Sequence, residues 1–331
     1  MENEWLRAYP QPQHQGTLKA TPEDFQVDEI LGFEPSGEGE HVLLQIRKRN
    51  ANSDWVGKQL AHYAGVKARD VGFSGLKDRH AVTTQWFSIP CKTTDWRSFQ
   101  ADGVEVLASH RHRQKLRRGV HRGNRFQITV KNINRDPEAL IERVELIRAN
   151  GVPNYFGQQR FGRENIIQAE RMFDGTIRPK RHLKSIYLSA ARAYLFNCVL
   201  SQRIALATWN RGQAGDVMIL DGRNSFFKVE QIDHDIETRL NHFDIHPSGP
   251  LWGEGKLASS QGVANLEQQI ANKHLKLSQG LEKFSTDQGR RSLRALVKNF
   301  TIDLLNKEQV TLEFELTKGV YATTVLRELF L

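Results

Sequence analysis

One loop of the sequence places a carboxylate between two cations, which suits a catalytic acid group. It runs from Gly72 to Gln85 and reads Gly-Phe-Ser-Gly-Leu-Lys-Asp-Arg-His-Ala-Val-Thr-Thr-Gln. Its small residues predict a loop that enters a strand, and loops on a rigid sheet often carry catalytic groups. Lys77 and Arg79 flank Asp78 and would favour the ionised form that a nucleophile or base requires. A surface turn in which Asp78 only accepts hydrogen bonds from backbone amides is the alternative.

A basic run over residues 110–125 indicates a polyanionic ligand. Its members are His110, Arg111, His112, Arg113, Lys115, Arg117, Arg118, His121, Arg122 and Arg125. A solvated, charged face would explain this composition. Phosphate binding driven by counterion release is the better explanation, because the run leads directly into a well-formed strand.

Aromatic residues are concentrated at 151–162, which reads Gly-Val-Pro-Asn-Tyr-Phe-Gly-Gln-Gln-Arg-Phe-Gly. Aromatic faces beside a guanidinium can stack on unpaired bases. A folded junction with its aromatic side chains in the core is the alternative. Phe25 and Tyr321 leave the same two possibilities open, a core position or a place in a base pocket.

Signatures of several other enzyme classes are missing. A phosphate loop around Gly253–Lys256 would need glycine in place of Pro250 and serine or threonine in place of Leu257. Val42 stands where a dinucleotide-binding loop starting at Gly37 would need its third glycine. Zinc-hydrolase and deaminase motifs are also missing. What remains is a basic protein with a loop carboxylate and no cofactor signature.

Composition and charge support a globular protein with a nucleic-acid partner. The 331 residues carry 47 Lys plus Arg against 38 Asp plus Glu, so 47 − 38 gives a net charge of +9. A hydrophobic share of 39% can fill a core. Two cysteines, Cys91 and Cys198, predict a reducing cytoplasm. Acidic residues at the start and the lack of a long apolar run argue against a signal peptide and a membrane span.

Strands and helices alternate in the first half of the sequence. Apolar residues alternate with polar ones in residues 42–47, 82–89, 104–107 and 126–131, which predicts strands. Apolar residues three and four apart predict a helix over 54–66. A further helix is predicted from Asp136 and Pro137, through Leu140, Ile141, Val144 and Ile147, to a C-terminal cap at Gly151.

The second half is predicted to be more helical until its final residues. Helix signals dominate at 185–207, 264–276 and 288–299. Val310, Leu312, Phe314 and Leu316 then alternate as in a strand, and a short helix follows over 322–329. One strand and one short helix cannot bury their apolar faces alone, so they should return to the sheet of the first half. The catalytic-type domain would therefore be discontinuous.

Several long segments resemble the tRNA pseudouridine synthase D family (TruD). They are the loop from Phe73 to Thr83, the junction from Val152 to Gly162, the segments 19–29 and 188–197, and the tail from Gly319 to Leu329. The resemblance runs from one end of the chain to the other and is weak over 205–245 and 256–288. It implies an α+β fold: a mixed, mainly antiparallel sheet domain flanked by helices, with an inserted α/β domain specific to the family. The two lobes would enclose a cleft.

The resemblance also implies domain limits, an activity and site residues. The catalytic domain would cover 1–149 plus 298–331, and the inserted TRUD domain 150–297. The activity would convert uridine 13 of tRNA to pseudouridine without metal or organic cofactor, in the cytoplasm, with the target base flipped out. Asp78 corresponds to the nucleophile; substrate-pocket positions correspond to Phe25, Asn124, Phe126 and Tyr321, with Lys19 and Glu29 as polar neighbours.

Tyr321 departs from family members that carry Phe at this position. The basic cleft and the 110–125 run would bind the tRNA, with no obligate protein partner. The alternative is an RNA-binding protein or tRNA-folding chaperone that kept the fold and lost the reaction; the intact Asp78 loop argues against it.

Overall fold

The chain, described from a computed structural model, divides into a sheet unit and a helical unit. The structure describes residues 5–90, 95–134, 138–284 and 287–331. The sheet unit comprises Gln13–Glu145 and Val297–Gly319. The helical unit comprises Met1–Pro12, Leu146–Leu296 and Val320–Leu331. The division into a catalytic domain and an inserted domain, with the limits given above, stays a prediction.

Fourteen strands and eight α-helices are present among the described residues. The strands are β1 Phe25–Ile30, β2 His41–Arg49, β3 Gly72–Phe73, β4 Val82–Pro90, β5 Val104–His112, β6 Gly123–Val130, β7 Val152–Pro153, β8 Val217–Leu220, β9 Phe226–Lys228, β10 Ile245–Leu251, β11 Gly289–Ser292, β12 Arg294–Ala295, β13 Lys298–Asn306 and β14 Gln309–Thr317. The helices are α1 Ser53–Tyr63, α2 Glu138–Asn150, α3 Asn165–Phe173, α4 Arg181–Ala205, α5 His234–Asn241, α6 Gln261–Lys273, α7 Leu275–Lys283 and α8 Ala322–Leu329.

An eight-stranded sheet forms the sheet unit. Its order is β13-β14-β6-β1-β4-β2-β5, and β3 pairs with β4 outside this path. Among the strands of this sheet that the structure describes, only β1 and β4 pair in parallel. The last strand returns to the sheet of the first half, as predicted: β14 pairs with β6, and Phe314 lies opposite Phe126. Alternation buries Phe126, Ile128 and Val130 on one face of β6.

Helix α1 packs on the half of this sheet that contains β2 and β4. Val56 and Leu60 of α1 are fully buried in one cluster with Leu44, Ile46 and Phe87. Burying one such side chain contributes about 1.5–3 kcal/mol. The apolar stripe that predicted the helix therefore also fixes it to the sheet, next to the loop that holds Asp78.

The helical unit contains two smaller sheets and most of the helices. One sheet has the order β11-β10-β8-β9, and β7 pairs with β12. Helix α4, which spans 25 residues, carries Arg203. This guanidinium donates to both carboxylate oxygens of Asp216, at 2.8 and 2.9 Å. Both side chains are almost completely buried.

The predicted α+β class, with a mixed and mainly antiparallel sheet, is confirmed. The prediction of a helix over 288–299 is wrong, because β11, β12 and the start of β13 cover these residues. The final helix was predicted to accompany β14, but α8 belongs to the helical unit. Residues 136 and 137, the predicted start of α2, and Cys91 lie outside the described residues. Among the described residues, none of the helices combines the length and hydrophobicity that a membrane span requires.

Candidate active site

Asp78 lies in the loop between β3 and β4, where the pairing of β1 with β4 brings a lysine to it. Parallel strands have their first residues at the same edge of a sheet, and Gln26 of β1 lies opposite Val82 of β4. The segments that precede the two strands therefore meet. Lys19, ahead of β1, donates to Oδ2 of Asp78 from its Nζ at 2.6 Å. The Asp78 side chain remains 46% exposed, so a ligand can reach its carboxylate.

The cation that pairs with Asp78 is not one of its sequence neighbours. That Lys77 and Arg79 favour the ionised form of Asp78 stays a prediction, and in the structure both side chains contact other groups. Nζ of Lys77 lies 3.1 Å from Oε2 of Glu29, and Nε of Arg79 donates to the carbonyl of Asn50 at 3.4 Å. Lys19 supplies the positive charge beside the carboxylate instead. This ion pair holds in place the carboxylate that nucleophilic or general-base chemistry would use.

Four hydrogen bonds from other elements hold the loop around Asp78. They are Ser74 Oγ to Glu29 Oε1 at 2.7 Å, Gln85 Nε2 to the Gly75 carbonyl at 3.1 Å, the Lys77 amide to Ser53 Oγ at 3.1 Å, and Lys48 Nζ to the Asp78 carbonyl at 2.8 Å. Ser53 Oγ in turn donates to Oε1 of Gln85 at 2.5 Å. The backbone of the loop is fixed from several sides, while the Asp78 carboxylate stays open to solvent.

Lys48 is a buried lysine directly beneath Asp78. Its Nζ donates to the carbonyl oxygens of Ala51 and Asp78, at 2.7 and 2.8 Å. Burial lowers the pKa of Lys48 to about 8; the nearby charge of Asp78 opposes this change and the charge of Lys77 adds to it. Sequence analysis missed this residue. The signal was present, because the alternation that buries Leu44 and Ile46 continues to position 48.

We expect Lys48 to make stability depend on pH between about 8 and 10.5. Its pKa is near 10.5 in an unfolded chain and about 8 in the native state. Between these values the unfolded state binds a proton that the native state has released, so stability rises with pH. Relative to Lys48→Met, the free energy of unfolding should rise by at most about 1.4 kcal/mol per pH unit in this window. Urea unfolding at a series of pH values measures this difference; a difference that does not change with pH would contradict the assignment.

Phe25 and Phe126 lie together beside the Lys19–Asp78 pair. Their ring centroids are 6.2 Å apart in an edge-to-face arrangement, and Phe126 stacks on Phe314 at 5.3 Å. Nζ of Lys19 lies 3.9 Å from the centroid of Phe25. Both Phe25 and Phe126 are largely buried. They form an apolar floor next to the charged pair, and Lys19 connects this floor to the carboxylate.

Glu29 and Asn124 lie opposite each other on β1 and β6. Glu29 is completely buried and forms its ion pair with Lys77. Lys77 Nζ also donates to Oδ1 of Asn124. The structure therefore brings Lys19, Phe25, Glu29, Asn124 and Phe126 into one connected set with the loop of Asp78.

Tyr321 lies in the helical unit, at the N-terminal end of α8. Its hydroxyl accepts a hydrogen bond from Nη2 of Arg160 at 3.0 Å, and its ring meets Phe156 edge to face at 6.4 Å. The guanidinium of Arg291 lies 4.1 Å from the centroid of Phe156, and burial lowers the pKa of Arg291 to about 10. Tyr155, in the same aromatic segment, is a core residue. Core packing thus explains part of the 151–162 segment.

The basic run of 110–125 is only partly free of protein partners. Arg113 pairs with Glu38, and Arg125 pairs with Glu313 at 3.2 Å. Arg118 lies over the ring of Phe73 at 3.9 Å. Arg117 and Arg122 are exposed, and neither forms an ion pair with any residue that the structure describes. The guanidinium groups of these two residues are therefore open to solvent.

The described residues contain no group of three or more His, Cys, Asp or Glu side chains that could hold a metal ion. The chemistry that the site offers is that of one accessible carboxylate, paired with a lysine and placed next to an apolar floor. Such a group can attack an electrophilic carbon or remove a proton.

Comparisons with known proteins agree over nearly the whole chain. The family model described as tRNA pseudouridine synthase D (TruD) matches residues 5–171 and 176–329. A tRNA pseudouridine synthase D from Methylococcus capsulatus is 46% identical, over 98% of this chain and 93% of the relative. One from Hydrogenovibrio crunogenus is 43% identical, over 98% and 95%. The crystal structure of a candidate tRNA pseudouridine synthase D from Methanosarcina mazei shares the fold, with a TM-score of 0.79 at 24% identity, over 98% of this chain and 95% of that one.

Proposed function

Since the chain belongs to the tRNA pseudouridine synthase D family, we propose that it converts uridine 13 of tRNA to pseudouridine with Asp78 as the nucleophile. The observation that carries the proposal is the placement of this carboxylate. It is accessible, paired with Lys19 at 2.6 Å, and held on a loop whose backbone is hydrogen-bonded from several sides. A fixed and ionised carboxylate is what the reaction needs at the ribose.

The reaction is an isomerisation, so atoms and charge balance within the nucleotide. The bond from N1 of uracil to C1′ of ribose breaks, the base turns, and C5 bonds to C1′. The C5 proton leaves and N1 gains one. Asp78 can attack C1′ to give a covalent ester, or it can remove a sugar proton to give a glycal; both routes use the ionised carboxylate.

The other proposed site residues would hold the flipped base. Extruding a nucleotide costs a few kcal/mol, which stacking and hydrogen bonds in the pocket must offset. We propose that the apolar floor formed by Phe25 and Phe126 keeps water from the cleaved sugar. We assign Asn124 to the uracil edge and Lys19 to holding the Asp78 carboxylate in position.

Two further assignments rest on the family. Tyr321 would contact the substrate, and Glu29 would support the pocket.

The catalytic domain would comprise 1–149 plus 298–331, and 150–297 would form the inserted TRUD domain. The proposed location is the cytoplasm, where tRNA is available, and no cofactor enters the proposed reaction.

Release of tritium from C5 of uridine tests the proposal directly. The protein is incubated with tRNA that carries [5-³H]uridine, and the label released to water is counted. We expect release of one label per tRNA and none from tRNA with cytidine at position 13. Tight tRNA binding without any release would instead favour an RNA-binding protein that does not catalyse the reaction.

Replacing Arg117 and Arg122 with alanine should weaken tRNA binding and reduce its dependence on salt. Each phosphate contact that is lost makes the plot of log K against log salt concentration less steep by roughly 0.7 to 0.9. The slope of the double variant should therefore be smaller in magnitude by about 1.5. Binding titrations at several salt concentrations measure the slope. A control that removes the same charge elsewhere, Arg47→Ala with Arg97→Ala, should change it less. Equal slopes for the protein and the Arg117/Arg122 variant would show that these side chains do not contact the tRNA.

A further inference from the structure

Lys77 occupies a position between two residues that face each other across the sheet. Glu29 of β1 and Asn124 of β6 are directly opposite, and residues in register on antiparallel strands present their side chains on the same face. Lys77 Nζ lies 3.1 Å from Oε2 of Glu29 and also donates to Oδ1 of Asn124. Its side chain is only 7% exposed.

Glu29 fixes the ammonium group of Lys77 at this point. The other oxygen of its carboxylate, Oε1, accepts hydrogen bonds from Ser74 Oγ at 2.7 Å and from the Trp86 amide at 3.3 Å. Since the Glu29 side chain has no exposed surface, withdrawal of Lys77 would leave a buried carboxylate without its counter-charge. The lysine is therefore held in place by a partner that cannot move into solvent.

The position of Lys77 determines which way the Asn124 amide is turned. An ammonium group can only donate hydrogen bonds, so the amide atom facing it must be the oxygen. The nitrogen Nδ2 then points away from Lys77, and no group among the described residues accepts a hydrogen bond from it. Rotating the amide would place two donor groups against each other. With its oxygen taken by Lys77, the Asn124 amide can only donate a hydrogen bond to a ligand.

This donor lies next to the residues to which we assign the reaction. Asn124 and Phe126 are two residues apart on β6, so their side chains lie on one face of the sheet. Phe126 contacts Phe25, which lies under Lys19 and so connects to Asp78. Lys77 is also the residue immediately before Asp78, so the same segment supplies the proposed nucleophile and the group that orients the amide.

We propose that Lys77 is a positioning residue that makes the pocket select uracil over cytosine, through an Asn124 amide that donates to O4 of the base. Uracil has a carbonyl acceptor at this position, whereas cytosine has an amino group. Cytosine would bring a donor against the Nδ2 donor and leave both without a partner. One such mismatch weakens binding by about tenfold to a hundredfold. The inference rests on the proposed function and extends it to the choice of base.

The test is a comparison of binding to two tRNAs that differ only in uridine or cytidine at position 13. All measurements use an Asp78→Asn background, so that the uridine tRNA is not consumed during the titration. We expect this background to bind the uridine tRNA at least about tenfold more tightly. Adding Lys77→Met together with Glu29→Gln frees the amide to rotate without leaving a buried charge, and should reduce the preference to within about threefold.

A second variant tests the same inference without disturbing Lys77 or Glu29. Asn124→Asp keeps an oxygen for Lys77 and replaces the outward donor with an acceptor, so it should reverse the preference toward cytidine. As a matched control, Lys131→Met with Asp24→Asn removes another ion pair of the sheet unit, one whose atoms are 2.7 Å apart. This control should leave the preference unchanged.

Each outcome has a distinct meaning. If the background does not discriminate, or if the Lys77/Glu29 variant keeps the full preference for uridine, Lys77 does not set base selection. If Asn124→Asp still prefers uridine, its side chain does not meet O4. Failure of the proposed function is detected separately, because the unmodified protein would then release no tritium from [5-³H]uridine tRNA.

Discussion

An Asp78→Asn variant should form no pseudouridine while binding tRNA with nearly unchanged affinity. Asparagine has the same shape, and its oxygen can still accept the hydrogen bond from Lys19 that is 2.6 Å long in the protein. A neutral amide, however, can neither attack C1′ nor remove a sugar proton. Loss of a nucleophile of this kind lowers turnover by at least about 10⁴-fold. Tritium release measures turnover, and a filter-binding titration with the same tRNA measures affinity.

Asp28→Asn is the matched control for this experiment. Asp28 is an exposed carboxylate of β1 in the same unit, and its side chain lies on the opposite face of the strand from Phe25 and Glu29. Its replacement should leave turnover within about twofold, since surface substitutions away from a site have small effects. Turnover by Asp78→Asn close to that of the unchanged protein would remove Asp78 from the nucleophile's role.

The largest expected effect on stability comes from Arg203→Met in the helical unit. Arg203 donates to both oxygens of Asp216 and also to the carbonyl of Thr208 at 2.8 Å. Without the arginine, Asp216 keeps a hydrogen bond from the Gln213 amide but remains a buried carboxylate without a counter-charge. Breaking a buried pair in this way costs about 3–5 kcal/mol. Urea unfolding of the full chain measures the loss.

The loss of stability is expected to be large because the Arg203–Asp216 pair is buried. A more exposed ion pair of the same unit tests this explanation. Arg239 pairs with Asp244 at 2.6 Å, but their side chains are 31% and 53% exposed. Arg239→Met should therefore cost less than about 1 kcal/mol. Similar losses for the two variants would mean that burial does not determine the contribution of the Arg203 pair.

Periodicity predicted the strands of the sheet unit well and failed where two periods coincide. In β2 and β14 apolar and polar residues alternate without a helical spacing of the apolar residues that competes with this pattern, and both strands form as predicted. In and just after 288–299 the apolar residues Leu293, Leu296, Val297 and Phe300 follow helical spacing, while Leu293, Ala295 and Val297 also alternate. Pairing decided the outcome, since β11 and β12 have β10 and β7 as partners. Such partners are distant in sequence and leave no local signal.

The candidate site was predictable as a set of residues but not as a set of contacts. Asp78 could be singled out from its loop, and resemblance supplied Lys19, Phe25 and Asn124. The sequence placed Lys77 beside Asp78, whereas folding sends its side chain to Glu29 and brings in Lys19, 59 residues away, in its place. Lys48 and Ser53 reach the loop through the pairing of β2 with β4 and the packing of α1. These contacts depend on tertiary structure.

The pairing of β6 with β14 has a consequence for synthesis on the ribosome. β6 ends at Val130 and β14 begins at Gln309, so 308 − 130 gives 178 residues to be translated between them. At elongation rates of about 5 to 20 residues per second this takes roughly 10 to 40 s. Throughout that interval the nascent chain presents the edge of β6 without the strand that later covers it, and unpaired edges invite association with other chains. A chain whose synthesis ends in this stretch would therefore carry an incomplete sheet. Such a chain would be a target for chaperones or proteases.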